Sequence, residues 1–227
     1  MSLPTLRKEL EKEFKKLWNI GPLPPFKFDI ENIIKDFLLL TLFVGNDFIP
    51  PLNNIKSQEL GDIISIYNKV LKNCDGYIID NGKLNLKRLK MIFKNLNISE
   101  TKSIYNYGNQ NREILIKSYI EGLQWVISYY DGTLISYRWF YPGHYSPIIS
   151  DLKMFEIKNF DNEAYYKSFE HLMFVLPPTS KELLPRAYQN LMNNSEIKEF
   201  YPNITNRLNI NNLPFIDEKK LLPLLEC

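Results

Sequence analysis

The chain has 227 residues, 44% of them hydrophobic and 14% aromatic, which is enough apolar material for one large domain or two small ones. Its 28 basic and 26 acidic residues leave a net charge of +2, so no global field announces a nucleic acid or a membrane surface. Cys74 and Cys227 are too far apart in sequence for a Cys-x-x-Cys metal or redox motif, and the longest apolar run falls well short of the roughly 20 residues that span a bilayer, so a soluble protein of a reducing compartment is expected.

Leu6, Leu10, Phe14 and Leu17 recur at helical spacing among Lys and Glu, predicting an amphipathic helix over 5–18. Gly21-Pro22-Leu23-Pro24-Pro25 stops it, and Asp29 is placed to cap a second helix from about Ile30 to Val44, apolar nearly all round. That helix ends at Gly45-Asn46 and delivers one carboxylate, Asp47. An acid at the end of a buried helix is one way to position a cation ligand; the plainer reading is that Gly45 and Asn46 only terminate the helix.

Leu60, Ile63, Ile64, Tyr67 and Leu71 predict a third helix, residues 76–84 a short strand running into an Asn-Gly turn, and 86–96 another helix. The polar stretch 97–112 reads as a loop or a shortened segment, and the expected division is 1–98, a joint at 99–112, and 113–227. Residues 114–130 predict a strongly buried helix ending at Asp131-Gly132. The run Tyr137 to Pro147 is aromatic and too rich in proline for a helix. It reads either as a stacking platform for unpaired bases or as a hydrophobic plug. Short helices follow at 169–175 and 181–192, the latter interrupted by Pro185. Of the two histidines, His171 sits in an apolar helix and is expected in the core, while His144 belongs to the aromatic run. No Gly-rich phosphate loop, Gly-x-Ser-x-Gly elbow or His-Glu-x-x-His pair occurs.

Several segments, in order, resemble the eukaryotic 5′-to-3′ exoribonucleases of the Xrn type. They are Phe28 to Phe37 (FDIENIIKDF), Val44 to Pro50 (VGNDFIP), Tyr119 to Val126 (YIEGLQWV), Trp139 to Pro147 (WFYPGHYSP), Leu172 to Pro178 (LMFVLPP), Phe200-Tyr201-Pro202, and Leu213 to Leu222 (LPFIDEKKLL). The resemblance implies a mainly α chain with a few short strands, the helical C-terminal portion of an α/β nuclease core of the PIN/FEN-like kind. It implies that Asp47 is the last acidic ligand of a magnesium site and that Trp139 stacks on the 5′-terminal bases, with His144 beside it. The implied substrate is single-stranded RNA with a 5′-monophosphate, hydrolysed with the help of divalent cations. The other acids of such a site belong to an N-terminal part of the nuclease that this sequence lacks, so the chain alone is expected to be inert. Ile149 to Leu152 resembles the cytoplasmic branch more than the nuclear one. Two other readings remain: a non-catalytic scaffold that keeps the fold, and a relative of the flap endonucleases, whose helix-hairpin-helix glycines are not found here. The family usually carries an aromatic residue at the position of Gly143, alanine at that of Ser146, and longer segments around 97–112 and 209–212.

Overall fold

The computed structural model describes residues 2–52, 55–96, 111–133, 136, 138–153, 166–194, 196–201 and 215–225. It divides into two compact units, Met1–Asn162 and Glu163–Cys227.

In the first unit, α1 runs Leu3–Trp18 and buries only Phe14 and Trp18; residues 3–9 are exposed, and Leu10 is the first to pack on the core. α2 (Ile30–Leu42) starts where expected: the Asp29 carboxylate accepts from the Glu31 and Asn32 amides, at 2.8 and 3.3 Å. Ile33, Leu39, Leu40 and Leu42 are buried, but Leu38 is exposed, so one edge of this apolar helix meets solvent. α3 (Leu60–Leu71) packs on α2 and on α4 (Leu86–Asn95), which is capped by the Asn85 side chain.

Between α3 and α4 the chain makes a two-stranded antiparallel hairpin, β1 (Ile79–Asp80) and β2 (Lys83–Leu84). Asn81 and Gly82 take φ of 50° and 76° at its turn, the left-handed pair that makes Asn-Gly a hairpin signal. The expected single strand is thus a hairpin folded back within the same segment.

α5 (Arg112–Tyr130) carries more buried residues than any other helix of the unit, from Leu115 to Ser128. Asn111 caps it through the Glu113 and Ile114 amides. The aromatic loop 138–148 follows as irregular chain and closes with the single helical turn α6 (Ile149–Leu152).

One core joins α1 to α6, running from Phe14 to Leu152. The expected joint at 99–112 falls mostly on residues outside those described. α5 and α6 share the core of α2 to α4, within the first compact unit.

The second unit contains α7 (Ser168–Val175), a 3₁₀ stretch Pro178–Leu183, α8 (Arg186–Leu191), a 3₁₀ turn Lys198–Phe200 and α9 (Glu218–Leu225). Pro185 does separate two helical pieces, because it removes a backbone donor. Met173, Leu184, Met192, Ile197, Tyr201 and Leu221 form a small core, and the Tyr201 hydroxyl donates to the Met173 carbonyl at 2.7 Å. His171 is exposed, not in the core as expected: α7 buries only Glu170 and Met173, packs Leu172 and Phe174 partly against the small core, and turns His171 outward with Phe169 and Val175.

Candidate active-site and nucleic-acid surface

Asp47 is exposed at the tip of a turn that fixes its own backbone. Gly45 has φ of 89°, and a Cβ there would lie 2.7 Å from the Pro51 nitrogen, so only glycine fits this helix exit. The Asn46 side-chain oxygen accepts from the Phe48 and Ile49 amides, both at 2.9 Å, while the Asn46 amide donates to the Ile49 carbonyl at 3.1 Å. The Leu52 amide returns to the Phe43 carbonyl at 2.9 Å. The Asn46 Nδ2 is buried without a hydrogen-bond partner among the described residues. Flipping the amide would cost both backbone donors, so its orientation is set.

This turn sits on α5 through three contacts. Phe48 meets Trp125 and Tyr129, each with ring centroids 5.0 Å apart. The Tyr119 hydroxyl donates to the Pro50 carbonyl at 3.3 Å. Ile49, almost fully buried, lies over Gly122.

Trp139 is half-buried and docks on the same stretch of α5. Its ring stacks on Trp125 at 5.1 Å and 29°, and Trp125 stacks in turn on Tyr129 at 5.5 Å and 11°. The buried Trp125 holds its own place by donating from Nε1 to the Ser136 carbonyl at 2.5 Å. Gly122 makes room for both segments: a Cβ there would come within 2.7 Å of Trp139 Cη2 and 2.8 Å of Ile49 Cγ2.

His144 lies elsewhere along the helix. It is half-buried, and its neighbour Gly143 sits so close to Leu115 that a Cβ would meet it at 2.6 Å. Leu115 precedes Gly122 by two turns, about 10 Å along the axis. The structure therefore brings the Asp47 turn and Trp139 to one place on α5 and puts the chain next to His144 at another. At the end of the loop, Arg112 at the start of α5 grips the buried Asp151 of α6 with Nε at 2.8 Å from Oδ2 and a second bond from its terminal nitrogen.

Three supporting residues were not singled out by sequence reasoning. Asp36, inside α2 and fully buried, accepts from the Tyr67 hydroxyl, the Ile78 amide and the Ile79 amide, each at 2.8 Å. Burial pushes its carboxyl up to about 7, while those three donors and the Arg88 guanidinium pull it down. Arg88, itself buried, ties the Tyr77 carbonyl and Asp75 together; its hydrogen bond holds the Asp75 carboxyl below the usual carboxylate range. Gln124 of α5 accepts from the Leu84 amide at 2.7 Å and donates to the Gly82 carbonyl at 2.9 Å, locking the hairpin to the helix. An acid in the middle of an apolar helix was the one available signal, and Asp36 carried it.

Among the described residues no three His, Cys, Asp or Glu side chains converge as a metal site would require. Asp47 offers one hard oxygen ligand of the type magnesium takes, and a complete octahedral set would need donors beyond those described. No described helix is long and apolar enough to cross a membrane.

Fold and site together describe a mainly helical domain that presents one exposed acid beside a packed aromatic cluster. The chain belongs to the Xrn1 helical domain family, whose model matches residues 27–111 and 102–226. It is 28% identical over 334 aligned positions to the 5′-3′ exoribonuclease 1 of Homo sapiens, using 100% of this chain and 19% of the relative. It is 31% identical over 249 positions to the Saccharomyces cerevisiae 5′-3′ exoribonuclease 1, with 99% and 16% covered. To the Schizosaccharomyces pombe 5′-3′ exoribonuclease 2 it is 42% identical over 121 positions, with 47% and 12% covered. The chain thus spans less than a fifth of the length of these relatives. The human match uses 334 positions against 227 residues, so at least 107 positions face a gap in this chain. The two family matches meet at 102–111, inside the polar stretch.

Proposed function

We propose that this chain is the helical part of a 5′-to-3′ exoribonuclease that degrades single-stranded RNA from a 5′-monophosphate end, and that Asp47 contributes one ligand to its divalent cations. The observation that carries this reading is the joint on α5. There the turn presenting an exposed acid and the Trp139 ring meet at one glycine, so a cation ligand and an aromatic base platform would lie close together. The members of the family named above are 5′-3′ exoribonucleases, which supports the same reaction class.

In this reading each part has a distinct task. Asp47 holds its carboxylate out from a turn whose geometry is set by Gly45 and Asn46. Trp139, backed by Trp125 and Tyr129, gives a rigid flat surface on which a base loses little side-chain freedom when it stacks, a contact worth about 1–3 kcal/mol per base. His144 flanks the RNA farther along the loop. Magnesium bound at Asp47 and acids outside this chain would polarise the attacking water and neutralise charge on the leaving oxygen. Among the described residues Asp47 stands alone in this role, and one carboxylate cannot hold such an ion in catalytic geometry, so the reading expects the 227 residues alone to be inert. A cytoplasmic site of action follows the resemblance at Ile149 to Leu152.

The test is degradation of 5′-monophosphate against 5′-hydroxyl RNA by the complete natural protein containing this chain and by its Asp47→Ala variant, with magnesium and with chelator. The reading requires selective loss of 5′-monophosphate RNA that stops with chelator or in the variant. A complete protein that degrades neither RNA would replace it with a scaffold that keeps the fold without the chemistry. Metal-dependent degradation by the 227 residues alone would overturn the inert part.

A further inference from the structure

We infer that Trp139 is also a positioning residue for the Asp47 turn, holding it for cation binding before any RNA arrives; this rests on the metal role of Asp47 proposed above. The turn is rigid inside, through Gly45, the Asn46 hydrogen bonds and the return of Leu52 to Phe43. What sets its position on the domain is its seat on α5: Ile49 at Gly122, Phe48 on Trp125 and Tyr129, and Pro50 under Tyr119.

Trp139 borders two of those three seats. Its Cη2 and Ile49 Cγ2 lie within 2.7 and 2.8 Å of the same point above Gly122, which puts them at most about 5.5 Å apart. Its ring also covers Trp125, the residue on which Phe48 rests. Removing the indole opens a void beside Ile49 and uncovers Trp125. Packed interiors close part of such a void by shifting, and Ile49 is two residues from the carboxylate. A ligand needs its orbitals aimed to within fractions of an ångström, so a small shift of the turn is felt at the metal.

Stacking on RNA and positioning the turn separate cleanly when RNA is absent. In the complete protein without RNA, Mn²⁺ binding is measured by the free-ion electron paramagnetic resonance signal, comparing wild type with Asp47→Ala, Trp139→Ala, Trp139→Leu and Gly122→Ala. The Ile49 methyl resonances report the position of the turn. Asp47→Ala defines the part of the binding that depends on this site.

The expected result is about tenfold weaker binding for Trp139→Ala, in the range seen when residues behind a ligand are removed. Trp139→Leu, which keeps bulk but no flat ring, stays within about twofold of wild type while failing to restore RNA stacking. Gly122→Ala weakens binding from the opposite side of the joint, because its Cβ displaces Trp139 or Ile49; it decides the matter if Trp139→Ala does not fold. Wild-type affinity in both Trp139→Ala and Gly122→Ala, with Asp47→Ala weakened, overturns the positioning role and leaves the metal role standing. Unchanged binding in Asp47→Ala overturns both.

Discussion

Asp36 makes the sharpest test of what holds the first unit together. Its two carboxylate oxygens accept from the Ile78 and Ile79 amides at the entry to the hairpin and from the hydroxyl of Tyr67, all in a site closed to water. Replacing it with alanine strands these donors, each at about 1–3 kcal/mol, so the loss is on the order of 5 kcal/mol. That is comparable to the whole stability of a typical domain. Asp36→Asn keeps one acceptor oxygen but turns an amide NH₂ toward a donor, and is expected to cost about half as much.

The same residue sets a pH dependence. Its folded-state pKa of about 7 lies above the ordinary aspartate value of about 3.9, so the folded protein binds this proton more tightly than the unfolded chain. The stability it contributes is present in full below about pH 4 and is lost as pH rises through 7, an effect of at most about 4 kcal/mol. Urea unfolding at pH 5, 6, 7 and 8, followed by tryptophan fluorescence, reads this unit alone, since all three tryptophans, Trp18, Trp125 and Trp139, lie within it. The first unit of wild type should be less stable at pH 8 than at pH 5, and Asp36→Asn should flatten that slope. A wild-type stability that stays flat over this range, with the same slope in Asp36→Asn, would refute the reasoning: the three donors would then outweigh burial, hold the carboxylate ionised and move its titration below pH 5.

Gly45→Ala should lower stability by at least about 2 kcal/mol, because the left-handed backbone is strained for alanine and its Cβ meets Pro51; a urea midpoint equal to wild type would count against the turn geometry. Arg112→Ala removes the grip on buried Asp151 and should cost about 2 kcal/mol, a figure reduced because the guanidinium is well exposed; Arg112→Lys should recover less than half, since lysine lacks the two-pronged fork. Gln124→Leu leaves the buried Leu84 amide without its acceptor and should lose about 2 kcal/mol, with faster hydrogen exchange at Leu84 as the specific signature. Under the proposed function, Trp139→Ala in the complete protein should slow degradation of structured RNA and shorten processive runs, and unchanged kinetics there would remove the stacking role.

What the sequence made legible was local. The Asp29 cap, the Asn-Gly turn, the end of α5 at Asp131-Gly132 and the break at Pro185 each depend on residues within a few positions of the feature they create. The roles of Asp36 and Gly122 depend on partners far along the chain. Asp36 is satisfied by amides 42 and 43 residues later, and Gly122 is required by Ile49 before it and Trp139 after it. To a propensity argument, a glycine inside a helix is only a cost of about 1 kcal/mol. His171 failed for the converse reason: apolar neighbours in a short helix do not guarantee burial when the unit's core is small.

These placements also explain how the helix that ends at Asp47 is held in place. α2 is fixed at its start by the Asp29 cap, in its middle by Asp36 against the hairpin, and at its end by the Asn46 turn seated on α5. Gln124 then ties the hairpin back to α5, two residues from the glycine that receives Ile49 and Trp139. The chain from Asp36 through the hairpin and Gln124 to the Gly122 joint closes a loop of buried polar and apolar contacts around the helix that ends at Asp47. A carboxylate mounted this way keeps its position without a cation to organise it, and under the proposed function that is the condition for the other ligands of the site to find it already in place.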